Sequence, residues 1–242
     1  MTNREKWFEK LRHEQGHYTT NEANRRLLAQ VSFDAIVSPG AGGKSTIMNH
    51  VAKIDDRFKR VSGFVTREQR PNDEPELYRY IHSDDEYAQL ADEIDQHIPI
   101  QYAVHPAKDS LYGTHIEDYH STHNIKDVWY NAIADFEKLG FERFTIIGLV
   151  AEPATWEEWF RHRFPKTDPN ALPRITEATQ ELSWLIENEQ RVQWLENRQG
   201  EIDSVAKEFI AISEGGAGSY YGSKLAKGML RAAIRLEQEY TH

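Results

Sequence analysis

Cysteine is absent from this 242-residue chain. Disulfide frameworks, zinc ribbons, iron–sulfur centres and thiol nucleophiles are therefore excluded, and a reducing, cytoplasmic setting is the expectation. Long apolar runs are missing too. The longest, Phe144 to Ala151 (FTIIGLVA), covers eight residues, against the roughly 18–20 that cross a bilayer. The first ten residues mix charges without an apolar core, so no signal peptide is expected. Positive charge is in short supply: 29 Lys and Arg stand against 39 Asp and Glu, a net charge of −10. Such a field repels polyanions, so neither polymeric nucleic acid nor a membrane surface is an expected partner. A small phosphorylated ligand needs only a local cluster of Lys and Arg, and stays open.

Taking about 150 residues per domain, the length corresponds to one domain with extensions, large enough to bury a core without a staple. Residues 1–30 read as a helical extension, with Trp7, Phe8 and Leu11 on one face and Thr20 as an N-cap of a second stretch. Val31 to Val37 is strand-like and runs into a glycine-rich turn. A helix follows, with Ile47, Met48 and Val51 on one face. Strand, glycine turn, helix is a βα unit and points to a parallel sheet. Residues 60–122 contain short β-like pieces and one acidic helix, capped by Ser83 with Glu86 in the capping-box position. A buried strand is expected at 143–151, helices at 153–163 and 174–191, and a strand near 192–195. Residues 214–223 hold four glycines in ten positions and read as a flexible Gly/Ser linker. Residues 224–242 form a last amphipathic helix through Leu225, Met229, Ala232, Ala233 and Leu236.

The glycine-rich turn carries the chemistry. Ser38, Pro39, Gly40, Ala41, Gly42, Gly43, Lys44, Ser45 and Thr46 match G-x-x-x-x-G-K-[ST] except that Ser38 takes the first glycine's place. Such a turn points successive backbone N–H groups at phosphate oxygens, and the helix behind it adds its positive end. Lys44 then reaches the β/γ-phosphates and the Ser45 hydroxyl ligates Mg²⁺, which makes ATP and Mg²⁺ the expected cofactors. Downstream, Arg67 and Arg70 are three residues apart and can fork onto one phosphate. Tyr78 and Tyr112 add neutral hydroxyl donors. Tyr78 and Tyr80 share a strand face, so one of them also suits packing.

From this loop onward the sequence resembles the guanylate kinase family over about 32–212. Val61 to Arg70 (VSGFVTREQR) is similar to the S-x-x-T-R-x-x-R segment that grips the acceptor's phosphate. Tyr78 to Tyr87 (YRYIHSDDEY) is similar to Y-x-F-V-S-x-x-E-F, and Leu111-Tyr112-Gly113-Thr114 to Y-Y-G-[ST]. Pro153 to Arg163 (PATWEEWFRHR) resembles P-S-x-E-E-L-x-x-R-L, and Arg174 to Leu182 (RITEATQEL) resembles R-L-x-x-A-x-x-E-L. The resemblance implies a P-loop α/β fold of three layers with a central parallel sheet. It also implies a small mixed β subdomain for the acceptor at about 60–122 and a helical lid at about 155–180, all within a domain spanning 31–213. It makes Lys44, Arg161 and Arg174 catalytic and places Asn197 near the adenine of ATP. Ser62, Arg67, Arg70, Tyr78, Gln101, Tyr112, Gly113, Thr114 and Asp127 become acceptor-site residues. The implied activity is ATP- and Mg²⁺-dependent transfer of the γ-phosphoryl to a nucleoside monophosphate.

Two departures bear on the base. Gln101 stands where the family's glutamate accepts from guanine N1–H and its 2-amino group, and Gly63 where a serine touches the base. A glutamine offers one acceptor and one donor, and a guanine N–H left unpaired costs roughly 1–3 kcal/mol. The expected acceptor is therefore a GMP-like nucleoside monophosphate whose base Gln101 leaves open. Two alternatives remain: a kinase of sugar phosphates resembling the ribose bisphosphate kinases, and a guanylate-kinase-like module that holds a phosphopeptide or protein without catalysis. The eleven histidines form no compact ligand set and suit the surface better than a metal. For the two terminal segments the alternatives are docking on the domain, a homodimer contact, or mobility.

Overall fold

The computed structural model describes residues 3–70, 73, 77–105, 109–119 and 122–241. The chain divides into two compact units, one made of 34–58, 125–131 and 144–242, the other of 1–33, 59–124 and 132–143.

The first unit carries most of a five-stranded parallel sheet. Its strands are β1 (Ser32–Val37), β2 (Phe58–Arg60), β7 (His123–Asp127), β8 (Arg143–Val150) and β9 (Val192–Glu196), in the order β2-β7-β1-β8-β9. Every residue of β1 is buried, as expected of a central strand covered on both faces. One face packs against α3 (Lys44–Ile54) and α8 (Ile202–Ser213). There Ile47, Met48 and Val51, set one helical turn apart, meet Ile36, Ile147, Leu149, Val205 and Phe209. Further helices are α6 (Pro153–Arg163), started by Pro153 in its first turn, α7 (Ala171–Glu187) and α9 (Gly222–Thr241). The apolar face of α9 (Ala226, Met229, Ala232, Ala233, Leu236) is buried, and α9 packs on both α6 and α7. Its small residues let the helix axes come close.

The stretch expected as a flexible linker is held along β9. Ser219 N donates to Trp194 O at 2.7 Å and Gly218 N to Gln193 Oε1 at 3.1 Å. Backbone at Gly218 lies so near β9 that a Cβ there would stand 2.5 Å from Trp194 N. Glycine here provides close approach, which composition alone does not distinguish from flexibility.

The second unit is built on a mixed sheet, β4 (Tyr78–Tyr80), β3 (Gly63–Val65), β6 (Leu111–Thr114) and β5 (Gln101–Val104) in that spatial order. β3 runs parallel to β4 and antiparallel to β6, and β5 antiparallel to β6. One face is a core of Phe64, Tyr102, Val104 and Leu111. It is covered by Phe8 and Leu11 of α1 (Asn3–Glu14) and by Leu90 and Ile94 of α4 (Asp84–Asp95). The expected capping box of α4 is formed by Ser83 and Glu86. The N-terminal helices, α1 and α2 (Glu22–Leu28), thus belong to the same unit as the small sheet. α5 (Ile133–Glu137) completes it. Among the described residues no helix is long and apolar enough to cross a membrane.

Candidate functional site

β1 ends at Val37 and the chain turns at once into the glycine loop. Ser38 is fully buried, and its backbone needs no glycine, because the left-handed positions fall at Ala41 (φ 63°) and Gly43 (φ 91°). The side chain of Ser38 instead decides its neighbour. A Cβ on residue 42 would stand 2.1 Å from Ser38 Oγ and 3.0 Å from Pro39 O, so only glycine fits at Gly42. At Gly43 a Cβ would meet Asn197 Nδ2 at 2.3 Å. The loop is pinned from outside as well. Asn197 Nδ2 donates to Gly42 O at 3.0 Å and Trp156 Nε1 to Gly40 O at 3.0 Å, while Lys44 Nζ closes the turn on Ser38 O. Ser45 and Thr46 are exposed in the first turn of α3, where helix N–H groups lack intrahelical partners. The arrangement is a rigid backbone cradle with one lysine and two hydroxyls at its rim.

A carboxylate that sequence reasoning missed lies beside it. Glu181, half-buried on α7, interacts electrostatically with Lys44, Glu177, Arg174 and Asp127. Loss of water contact pushes its carboxyl up to about 7, with Lys44 and Arg174 resisting the shift and Glu177 and Asp127 adding to it. The signal was in the spacing: Arg174, Glu177 and Glu181 sit at helical intervals of three and four and share one face of α7. Lys44, Asp127 and Arg174 thus act on the Glu181 carboxyl through their charges, and Arg174 is bonded to Glu177 at 2.5 Å. Arg161 is engaged elsewhere. It pairs with Glu157 at 2.8 Å and with Glu239 of α9 at 2.6 Å, and Lys166 Nζ donates to Glu239 O at 2.6 Å.

In the other unit the register sorts the expected acceptor residues. Gly63 pairs with Tyr78, Val65 with Tyr80 and Tyr112, Ala103 with Tyr112, and Gln101 with Thr114. Paired residues share a face, so Tyr78, Tyr80, Tyr112, Thr114 and Gln101 line the face opposite the apolar core. Gly113 points the other way, where a Cβ would strike the Phe64 ring at 2.2 Å. Gly63 is a packing requirement, since a Cβ there would lie 2.4 Å from Gly113 O. Gln101 is buried with Nε2 unpartnered among the described residues, whereas Thr114 Oγ1 lies 3.2 Å from Tyr119 OH. Ser62 Oγ donates to Asp118 Oδ1 at 2.6 Å.

Arg67 anchors this face. Its guanidinium lies 5.5–6.0 Å from the ring centres of Tyr78, Tyr80 and Tyr112, and Nε donates to Tyr112 OH at 3.0 Å. Its partner is Asp73, a second residue missed from sequence. Arg67 Nη1 and Nη2 donate to the two Asp73 oxygens at 2.6 and 3.0 Å, Tyr80 OH donates at 2.7 Å and Arg70 N at 2.8 Å. The Arg67 bonds hold the Asp73 carboxyl well below the usual carboxylate range. The Arg70 side chain is exposed. His115, expected among surface histidines, is buried between Arg79 (2.8 Å) and Glu93 (2.9 Å). Among the described residues no cluster suits a metal.

A central parallel sheet flanked by helices, with a second mixed sheet, defines the class, an α/β protein whose first strand feeds a glycine turn and a helix. No protein-family model and no curated protein sequence matches the chain. Among solved structures, the crystal structure of guanylate kinase from Anaplasma phagocytophilum is similar to it. The match covers 79% of this chain and 88% of that one, at 14% identity and a TM-score of 0.48.

Proposed function

We propose that the protein is a phosphotransferase that moves the ATP γ-phosphoryl, with Mg²⁺, to the phosphate of a small phosphorylated acceptor of nucleoside monophosphate type. The cradle at Gly42 and Gly43 carries this reading, because it combines an obligatory glycine turn, Lys44 and an α-helix start in one place. The residues present suit the cofactors: the loop N–H groups and Lys44 would hold the triphosphate, and Ser45 would ligate the metal. Bound Mg²⁺ would offset the charge that builds on the transferring group. Asn197 supports the loop backbone and is proposed to lie near the adenine. Arg174, beside Lys44 in the same charged cluster, is proposed to stabilise the departing phosphoryl, with Arg161 on α6 as a second arginine.

Arg67, Arg70, Tyr78 and Tyr112 are proposed to hold the acceptor phosphate, and Gln101, Ser62 and Thr114 to border the rest of that ligand. Gln101 argues against a strict requirement for guanine. Its buried, unpartnered amide N–H calls for an acceptor atom on the ligand. The same feature keeps a second reading in play, a sugar-phosphate kinase, since ring and hydroxyl oxygens also supply such an atom. Coupled ADP release across GMP, dGMP, AMP, CMP, UMP and ribose phosphates tests both. Turnover with a nucleoside monophosphate supports the first reading and turnover with ribose phosphates alone supports the second. No turnover at millimolar acceptor would sink both.

A further inference from the structure

An anion-binding geometry in the small-sheet unit is filled by the chain's own carboxylate. Asp73 accepts from Arg67 Nη1 and Nη2, from Tyr80 OH and from the Arg70 backbone N–H, all within 3.0 Å. A guanidinium has five N–H donors. In Arg67 one goes to Tyr112 OH, one to Glu68 O and two to Asp73, so among the described residues a single N–H is left over. A phosphate can use the Arg67 fork only if Asp73 lets go.

We propose that Asp73 is a built-in competitor for the acceptor-phosphate site, so that a ligand phosphate reaches the Arg67 fork only by displacing it. This rests on reading the Arg67 face as the acceptor site. A phosphomonoester dianion brings two charges and three terminal oxygens against the single charge and two oxygens of Asp73, so it gains from the exchange. A phosphodiester or a carboxylate brings one charge and gains nothing over the group it displaces. Asp73 also has the advantage of being tethered, which gives it a high effective concentration at Arg67. Apparent affinity for any ligand then falls in proportion to the fraction of time the fork is free. Asp73 thus lowers the affinity of every competing anion by one common factor.

The test uses the full chain and three probes, ribose 5-phosphate, inorganic phosphate and dimethyl phosphate, titrated calorimetrically at pH 7.5. Asp73→Ala and Asp73→Asn are compared with the parent and with Arg67→Ala, after thermal melts establish which variants fold. The amide of Asp73→Asn preserves volume should the alanine variant not fold. The expected result is ribose 5-phosphate binding that tightens by about tenfold in the Asp73 variants. Inorganic phosphate and dimethyl phosphate tighten in them by the same factor, since the fork is freed for every anion alike. Binding that is unchanged or weaker in both folded Asp73 variants, while Arg67→Ala abolishes it, overturns the proposal and makes Asp73 a buttress for Arg67; the acceptor-site reading then survives. Binding indifferent to Arg67, or no binding by any variant, overturns the acceptor-site reading and this proposal with it.

Discussion

At Glu181 a carboxyl group has lost most of its water while facing Lys44 and Arg174 on one side and Glu177 and Asp127 on the other. Its value of about 7 lies above that of an unfolded glutamate, so the folded protein binds the extra proton between the two values. Raising the pH from about 4.5 to above 7 therefore costs folding stability, by about 1–3 kcal/mol. Glu181→Gln cannot titrate, so its stability, measured by urea unfolding at pH 5 and pH 8, should fall less with pH than the parent's. An equal fall in both would contradict the assignment. The loop offers a sharper residue-scale test. Gly42→Ala places a methyl 2.1 Å from Ser38 Oγ, and such overpacking costs about 1–3 kcal/mol. Stabilisation by MgATP, which follows from ligand linkage, should vanish in Gly42→Ala. It should return in part in the double variant Ser38→Gly/Gly42→Ala, where only Pro39 O at 3.0 Å still crowds the methyl. Residues of this kind differ in how legible they are. Lys44 and Ser45 are readable because loop, lysine and hydroxyl are consecutive. Asp73 and Glu181 acquire their meaning only when folding brings Tyr80 and Arg67, or Lys44 and Asp127, to them.

At the scale of elements, the two terminal helices are structural parts of their units. Phe8 and Leu11 of α1 are 1% exposed and sit in the core of the small-sheet unit. Phe8→Ala should lower unfolding free energy by about 3–5 kcal/mol, read from denaturant melts, whereas an α1 that merely decorates the surface would lose under 0.5 kcal/mol. In α9, Gly228→Ala sets two effects against each other. Alanine gains about 1 kcal/mol in helix propensity, but its Cβ would lie 2.5 Å from the rigid Pro153 ring at the start of α6, a clash costing about 1–3 kcal/mol. The clash should win, and the variant should melt below the parent. A higher melting temperature would contradict this packing of α9 on α6. Apolar periodicity made both helices readable. Their partners were not, because a stripe at helical spacing announces that a face is buried without saying against what. The glycine-rich 214–223 stretch shows the converse: close approach to β9 and flexibility share one composition.

For the whole molecule, the net charge is −10, and the basic groups singled out above each face carboxylates, Glu177 and Glu181 for Arg174 and Asp73 for Arg67. Lys44 and Arg174 belong to one cluster, and Arg67 with its ring of tyrosines to another, each within its own compact unit. The parallel sheet and the loop that follows β1 were legible as a βα unit. The tyrosine-lined face of the small sheet was legible in part, through alternation at Tyr78 and Tyr80, while the β4-β3-β6-β5 order depends on pairing between distant segments that periodicity does not encode. Phosphorus NMR follows the proposed phosphoryl transfer directly. With MgATP and the best acceptor of the panel, the γ-phosphoryl signal should decline as ADP and a new diphosphate on the acceptor appear, and Lys44→Met should abolish that exchange. ATP left intact, or ATP converted only to ADP and inorganic phosphate whatever acceptor is present, would contradict it.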